Sequence, residues 1–428
     1  MRTALLFAPY YFPSNNVGAV RPGKFVKYLP SFGWQLLVVT PEQHEHEAYL
    51  EGDSSNIFYV QFPDLEKIFK LGRQLIPKPK AHFKVRSEAL PIIEIDSRRQ
   101  AFLDWVLLPD EKITWISSAV KKGLTLAKSH SIDIVITTAP YFSTHLIGLS
   151  LARRLNRPWL ADFRDPWVTS PYIYYPTKLH RKIHAILERK VVESANVVLS
   201  TTELMNQDLI TRYPKLPVDK FKVVYNGYDD DDFVDLKPQT ERKDSKIQII
   251  QNGTFYGERS PIPFLKALKH FDDRDLNRLR VIFVGKNVLP WQSIVDELGL
   301  NSVVKLKDMV PYQQCLQLLQ ESDILLLIPG GQLILPKKLF EYLKLEKWIL
   351  AVSANPMVNG FLEQINVSKI ADPASPQDIY CQLSNLMALI DQGVQPEPNL
   401  SLIQQFEFKN LTGQLAQILD KMAYPVES

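Results

Sequence analysis

The sequence predicts an α/β protein made of two doubly wound, parallel-sheet domains. Three observations carry that expectation. At 428 residues the chain is too long for one ordinary domain and fits two of roughly 200. Short β-branched or apolar runs alternate with longer amphipathic stretches, the pattern of a parallel sheet with helices on both faces. The alternation pauses at a polar stretch, residues 237–246 (KPQTERKDSK), and then begins again.

In the first half, the runs at 5–7, 36–39, 134–136, 159–161, 197–199 and 223–225 read as buried strands. In the second half the same reading falls on 247–250, 281–284, 324–327 and 349–352. Residues 408–422 then show helical spacing, with Leu411, Leu415, Ile418 and Leu419 on one stripe. The expected division is therefore 1–235, 236–405 and a terminal helix over 406–428.

Composition narrows the functional classes. Apolar residues make up 45% and charged residues 23%, ordinary values for a folded globular protein. A net charge of +3 implies no whole-molecule attraction to nucleic acid. Cys315 and Cys381 are the two cysteines, neither in a CxxC nor beside histidines, and read as inert thiols rather than zinc ligands. The first apolar run is too short for a signal-peptide core of about 7–15 residues, and no run nears the roughly 20 needed to cross a bilayer. The expectation is a cytoplasmic protein, with attachment to the inner face of the membrane left open.

Open α/β sheets bind ligands where strand ends meet helix N-termini. The first such turn, residues 9–23, holds Gly18 and Gly23 but no GxGxxG. Gly18 is either a turn glycine or a point where backbone approaches a phosphate or sugar. The segment PKKLFEY, from Pro336 to Tyr342, follows the 324–327 run and Gly330-Gly331. Pro336 suits the first turn of a helix, whose free N–H groups and dipole favour an anion. Lys338 adds a charge there, and Glu341, three residues on, shares its face. Glu341 then either accepts hydrogen bonds from a ribose diol or pairs with Lys338 or Lys344. The run Asp229 to Asp232 in NGYDDDDF reads as a polar cap or solvated turn rather than a metal site.

Several segments in order resemble the family-4 glycosyltransferases of the GT-B fold. They are the opening strand with its YYFP turn, Gly18, Arg21 and Gly33-Trp34; Asp133 to Pro140 with Ser143 and His145; DFRDPW from Asp162; Tyr225 to Asp229 with Phe233; Asn252 to Tyr256 with Arg259; and PKKLFEY. The resemblance implies two Rossmann-like domains facing across a cleft, and a C-terminal helix that crosses back to the first. It implies an enzyme that moves a sugar from a nucleotide diphosphate sugar to a glycan or lipid-linked glycan, with retention, without a metal or other cofactor, in surface polysaccharide assembly. Gly18, Gly253, Thr254, Arg259, Lys338, Leu339 and Glu341 would bind the donor. Arg164 and Asp165 would be catalytic, Asp165 by positioning or deprotonating the acceptor hydroxyl, unless Arg164 forms an ion pair with Asp162 or Asp165. Two departures stand out: Leu333 replaces a glutamate many family members carry, and DFRDPW lacks the usual histidine. A nucleotide-sugar 2-epimerase and an inactive binding protein on the same fold are the competing classes.

One further stretch concerns partners. Residues 67–86 hold Lys67, Lys70, Arg73, Lys78, Lys80, Lys84 and Arg86 with interleaved apolar residues and no acid. Such a segment is either a solvated insertion or a weak anchor on anionic lipid.

Overall fold

The computed structural model describes residues 1–12, 14, 16–42, 54–63, 105–238, 246–255 and 259–424. The stretch between Lys67 and Arg86 lies outside these. The chain divides into two units, one formed by its first part to Tyr225 together with Thr412 onward, the other running from Asn226 to Leu411. The division falls ahead of the expected 235. The reason is local: Tyr228 N donates to Phe406 O at 3.1 Å and Phe408 N donates to Tyr228 O at 2.8 Å, and Asp230 pairs with Lys344, so residues from Asn226 on are held by the second unit. The same pairing keeps the chain in that unit through Leu411, past the expected 405.

The first unit holds a parallel sheet of β1 (Arg2–Phe7), β2 (Trp34–Pro41), β3 (Ile57–Val60), β4 (Ile134–Thr138), β5 (Trp159–Phe163), β6 (Val197–Ser200) and β7 (Phe221–Val223), in the order β3-β2-β1-β4-β5-β6-β7. The second holds β8 (Ile247–Asn252), β9 (Leu279–Val284), β10 (Val304–Lys307), β11 (Ile324–Leu327), β12 (Trp348–Val352) and β13 (Ser368–Ala371), in the order β10-β9-β8-β11-β12-β13. Both orders reverse next to the first strand of the unit, the mark of a doubly wound Rossmann-like sheet. The strands missed in the sequence, β3, β10 and β13, are sheet edges. In each, one residue of four is buried; β10 (VKLK) and β13 (SKIA) accordingly lack the continuous apolar run of a central strand, whereas β3 (IFYV) is apolar throughout and was missed all the same.

β7 ends two residues before the expected 225. Val224 N still donates to Ser200 O at 3.0 Å, but the carbonyls of Val224 and Tyr225 turn away to Arg21, at 2.9 and 2.7 Å. Arg21, on the helix Val20–Tyr28, is only 2% exposed. Its Nε and Nη2 also bond the two oxygens of Asp162 at 3.1 and 3.2 Å, and Thr138 Oγ1 donates to Asp162 at 2.8 Å. A buried guanidinium and carboxylate are tolerable only when each is paired and hydrogen-bonded, and here both are.

The helix Ser143–Leu155 packs hard on β5. A Cβ at Gly148 would stand 2.2 Å from the Trp159 ring, so only glycine permits this approach. The terminal helix, Phe408–Ala423, returns to the first unit as expected: Trp34 Nε1 donates to Asp420 at 2.7 Å, and Arg2 pairs with Asp420 at 2.7 Å while lying over the Trp34 ring. The second unit's core packs Ile249, Phe264, Phe283, Leu326, Leu350 and Leu383 between its sheet and helices. Among the described residues no helix is long and apolar enough to cross a membrane.

Removing one partner of the Arg21–Asp162 pair leaves the other charge buried and unmatched. Arg21→Met should therefore lower the unfolding free energy of the first unit by about 3–5 kcal/mol in urea titrations, and Arg21→Met with Asp162→Asn together should cost clearly less than the sum of the two.

Candidate functional site

The order reversals lie between β1 and β4 in one unit and between β8 and β11 in the other. Strand connections diverge there and leave a crevice at the carboxyl ends. The residues singled out in the sequence collect at these two places.

In the second unit, β8 runs into Asn252, Gly253 and Thr254. Gly253 takes φ +101°, a conformation that suits glycine. A Cβ there would lie 3.7 Å from Lys338 Nζ, so the loop passes directly beside that amine. Phe255 anchors the loop by packing on Phe283 and Trp291. The helix Lys337–Lys344 starts nearby, with Pro336 as its N-cap residue rather than inside its first turn, and no side chain caps it. Lys338 Nζ donates to Asn252 O at 2.7 Å, and Tyr342 Oη donates to Asn252 Oδ1 at 2.8 Å. Asn252 thus fixes both the lysine and the helix against the end of β8.

Burial pushes the Lys338 amine down to about 7, and the positive charge of Arg259 pushes the same way against a smaller opposing pull from Glu341. The charge of Arg259 thus adds to that of Lys338 at a helix start with no side-chain cap, an arrangement that favours an anion. Arg259 and Thr254 are half-buried beside it.

Glu341 does not meet Lys338 or Lys344. It is 3% exposed and accepts from Lys337 Nζ and from Tyr312 Oη, the latter at 2.9 Å, while Lys344 pairs with Asp230 at 2.6 Å. Asn252 claims Lys338, and the i,i+4 neighbour Lys337 takes the carboxylate instead. Leu339 is a second correction. Its side chain is fully buried and its amide donates to Pro336 O at 3.0 Å, so it offers a ligand neither. Leu333 is half-buried in a loop tied to the fold by Asn355, whose Nδ2 donates to Gly331 O at 2.5 Å. Asp229 caps its own turn by accepting from Asp231 N at 3.1 Å.

In the first unit, Gly18 is wedged in place: a Cβ would meet Tyr10 at 2.6 Å and Asn16 Oδ1 at 2.9 Å. Its carbonyl accepts from Arg164 Nη1 at 2.7 Å. Asp162 is committed to Arg21 by its hydrogen bonds, so it is not the hydrogen-bonded partner of Arg164. Arg164 and Asp165 are half-buried directly after β5. Burial draws the Arg164 guanidinium down, and Asp165 and Asp162 counter it. His145 has no access to a ligand. It is fully buried, stacks on Phe163 at 4.5 Å, and is pushed down to about 3 by burial. Trp159 Nε1 donates to Thr137 Oγ1 at 2.8 Å, and that hydroxyl is hydrogen-bonded to His145 Nδ1 at 2.9 Å.

A further group at the β1–β4 crevice escaped the sequence reading. Tyr10 Oη donates to Tyr141 Oη at 3.1 Å, and Tyr141 Oη to Glu111 Oε1 at 2.7 Å. Asp110 accepts from Ser143 N at 2.8 Å and Lys112 N at 3.1 Å, capping two helices, and burial raises it to about 6. Only the position of Tyr10 and Tyr141 just past β1 and β4 signals this cluster; Asp110 and Glu111 arrive from a segment with no motif.

Residues 24–232 match the family described as Glycosyltransferase Family 4. Over nearly its whole length the chain also superposes on three solved structures. HepE from Anabaena, in complex with UDP and glucose, matches at a TM-score of 0.61 and 13% identity, covering 98% of this chain and 100% of that one. WaaG, a glycosyltransferase involved in lipopolysaccharide biosynthesis, matches at 0.60 and 14%, covering 97% and 99%. The UDP-GlcNAc 2-epimerase from Methanocaldococcus jannaschii matches at 0.52 and 11%, covering 98% and 99%. No curated protein matches the sequence. The structural likenesses establish the GT-B fold. The match to the Glycosyltransferase Family 4 model falls almost wholly on the first unit.

The depressed Lys338 amine costs folding free energy wherever it must stay charged. That penalty is full below about pH 7 and fades as pH rises toward the ordinary lysine value of 10.5. Lys338→Met should therefore stabilise the empty protein by on the order of 1–3 kcal/mol at pH 6, and by progressively less above pH 7, in thermal unfolding across pH.

Proposed function

We propose that the protein transfers a glycosyl group from a nucleoside diphosphate sugar to a glycan or lipid-linked glycan acceptor, without a metal. The observation that supports this most directly is the uncapped start of the helix Lys337–Lys344, where Asn252 holds the Lys338 amine against the end of β8 within the field of Arg259. When the glycosidic bond breaks, its electron pair passes to the diphosphate, and the charge gained there is stabilised by those cations and the helix dipole. The open space left by the missing Gly253 side chain and the Thr254 hydroxyl complete the diphosphate site. Both side-chain donors to Glu341 reach Oε1, so Oε2 is the atom to accept a ribose hydroxyl.

The acceptor hydroxyl forms the new bond at the anomeric carbon and gives its proton to Asp165, with Arg164 holding an acceptor anion or phosphate. Retention of configuration follows the family and is part of this reading, as are a cytoplasmic site of action and a role in surface polysaccharide assembly, which the likeness to WaaG supports. The 2-epimerase likeness favours a second reading. An epimerase needs several acid and base groups around the sugar, whereas the loop before PKKLFEY, residues 329–335, has Gln332 as its single polar side chain.

Calorimetric titration with UDP tests the diphosphate site. A charge-assisted hydrogen bond contributes roughly 1.5–3 kcal/mol, so Lys338→Ala and Arg259→Ala should each weaken binding about 10- to 150-fold. Unchanged affinity in both would remove the site. Slow hydrolysis of one member of a UDP-sugar panel, retained in EDTA, would then separate a metal-independent transferase from a binding protein, and release of a 2-epimer would favour the second reading.

A further inference from the structure

The helix Lys178–Ser194 in the first unit exposes aliphatic side chains while burying polar ones. Its buried residues are His180, His184 and Glu188, followed by Val191 and Val192 in the last turn. These polar groups are satisfied. Trp167 Nε1 donates to His184 Nδ1 at 2.9 Å, His180 bonds Thr177 Oγ1 and the Trp105 carbonyl, and Glu188 accepts from Val168 N, Tyr213 Oη and Arg212. Its outer face carries aliphatic residues instead. Leu179 is 63% exposed and Ile186 46%, with half-buried Ile183 and Leu187 between and beside them. Positions i, i+4, i+7 and i+8 form one continuous stripe on a helix. An ordinary surface helix places such a stripe against the core, so this one is available to something outside the unit.

The charge around the stripe says what. Lys178, Arg181, Lys182, Arg189 and Lys190 are all exposed, Lys182 and Lys190 directly alongside the stripe. The helix has two acids, of which Glu188 is buried and neutralised by Arg212, leaving Glu193 alone at the far end. Trp105, 55% exposed, packs its ring edge against His180 at 5.1 Å, and exposed Tyr172 and Tyr174 lead into the helix. Aliphatic residues flanked by cations, with tryptophan and tyrosine at the margin, match a bilayer interface: acyl chains take the stripe, anionic headgroups take the cations, and the amphipathic rings sit at headgroup level. A second copy of the chain docking by this face would oppose the same cations to one another. A nucleic acid would engage the cations and leave Leu179 and Ile186 in water.

We infer that the outer face of the helix Lys178–Ser194 docks on an anionic membrane surface. The stripe enters the headgroup layer and the lysines and arginines hold it by attraction that salt screens. This binding is a property of the first unit's surface and does not depend on the donor site.

The test is co-sedimentation of the full chain with vesicles of mixed phosphatidylglycerol and phosphatidylcholine, and with phosphatidylcholine alone, at low and high salt. The wild type should pellet with the mixed vesicles at low salt and be largely released at high salt. Lys182→Gln with Lys190→Gln should weaken binding about 25-fold at low salt, about 5-fold for each cation removed. Leu179→Ser with Ile186→Ser should weaken it by at least tenfold and also abolish what binding survives at high salt. All four side chains project into solvent, and unchanged UDP affinity and melting temperature would confirm that the variants remain folded. Three results would overturn the inference: equal pelleting with neutral vesicles, wild-type pelleting by both double variants, or a dimer in analytical ultracentrifugation that the Leu179→Ser, Ile186→Ser variant disperses.

Discussion

The first unit is organised around a single buried charge. The Arg21 guanidinium satisfies both oxygens of Asp162 and the last two carbonyls of the chain before it leaves the unit. That one side chain therefore ties the helix Val20–Tyr28, the end of β5 and the exit from β7 together. Arg164 and Asp165 follow Asp162 within the same turn, and Arg164 reaches the carbonyl of Gly18, three residues before Arg21. The loops that carry the proposed acceptor-side residues are thus set by a pair that touches no ligand. Asp162 could not act as a base, because its charge is already matched.

The second unit is built on the opposite principle. Asn252 holds Lys338 and Tyr342 in place, and the positive charge of Arg259 acts on the same amine at the helix start. An amine drawn down to about 7 by burial and by a like charge is a stability cost in the empty protein and a favourable term once an anion arrives. On the proposed function, donor binding and folding pull against each other here, as expected where a site is preorganised for charge that develops in a reaction. Glu341, by contrast, is positioned by Lys337 and Tyr312, so its orientation is settled before any ligand enters.

The two proposed activities are related by surface chemistry rather than by a shared residue. A lipid-linked acceptor is found at a bilayer interface, and a first unit that rests on such an interface raises the local concentration of that acceptor. The helix Lys178–Ser194 allows this because its buried His184 and Glu188 find polar partners in Trp167, Tyr213 and Arg212. The aliphatic stripe is thereby left at the surface, where contact with water is unfavourable until something covers it.

The central strands, the restart of the pattern after the linker, the terminal helix and the positions of Gly253 and Lys338 were all legible in the sequence. Buried parallel strands must be continuous apolar runs, and helix starts and tight turns demand particular residues locally. The edge strands β10 and β13 were not, since VKLK and SKIA carry no such run, and β3 was missed although IFYV does. Nor were the partners of the charged residues. Arg21 finds Asp162 across 141 positions and Lys338 finds Asn252 across 86, and only the fold brings them within hydrogen-bonding distance. The same holds for the helix Lys178–Ser194. Its sequence shows that one face is aliphatic and another polar, but periodicity does not say which face turns inward. That was decided by what waited inside, a tryptophan indole, a tyrosine and an arginine in need of polar partners.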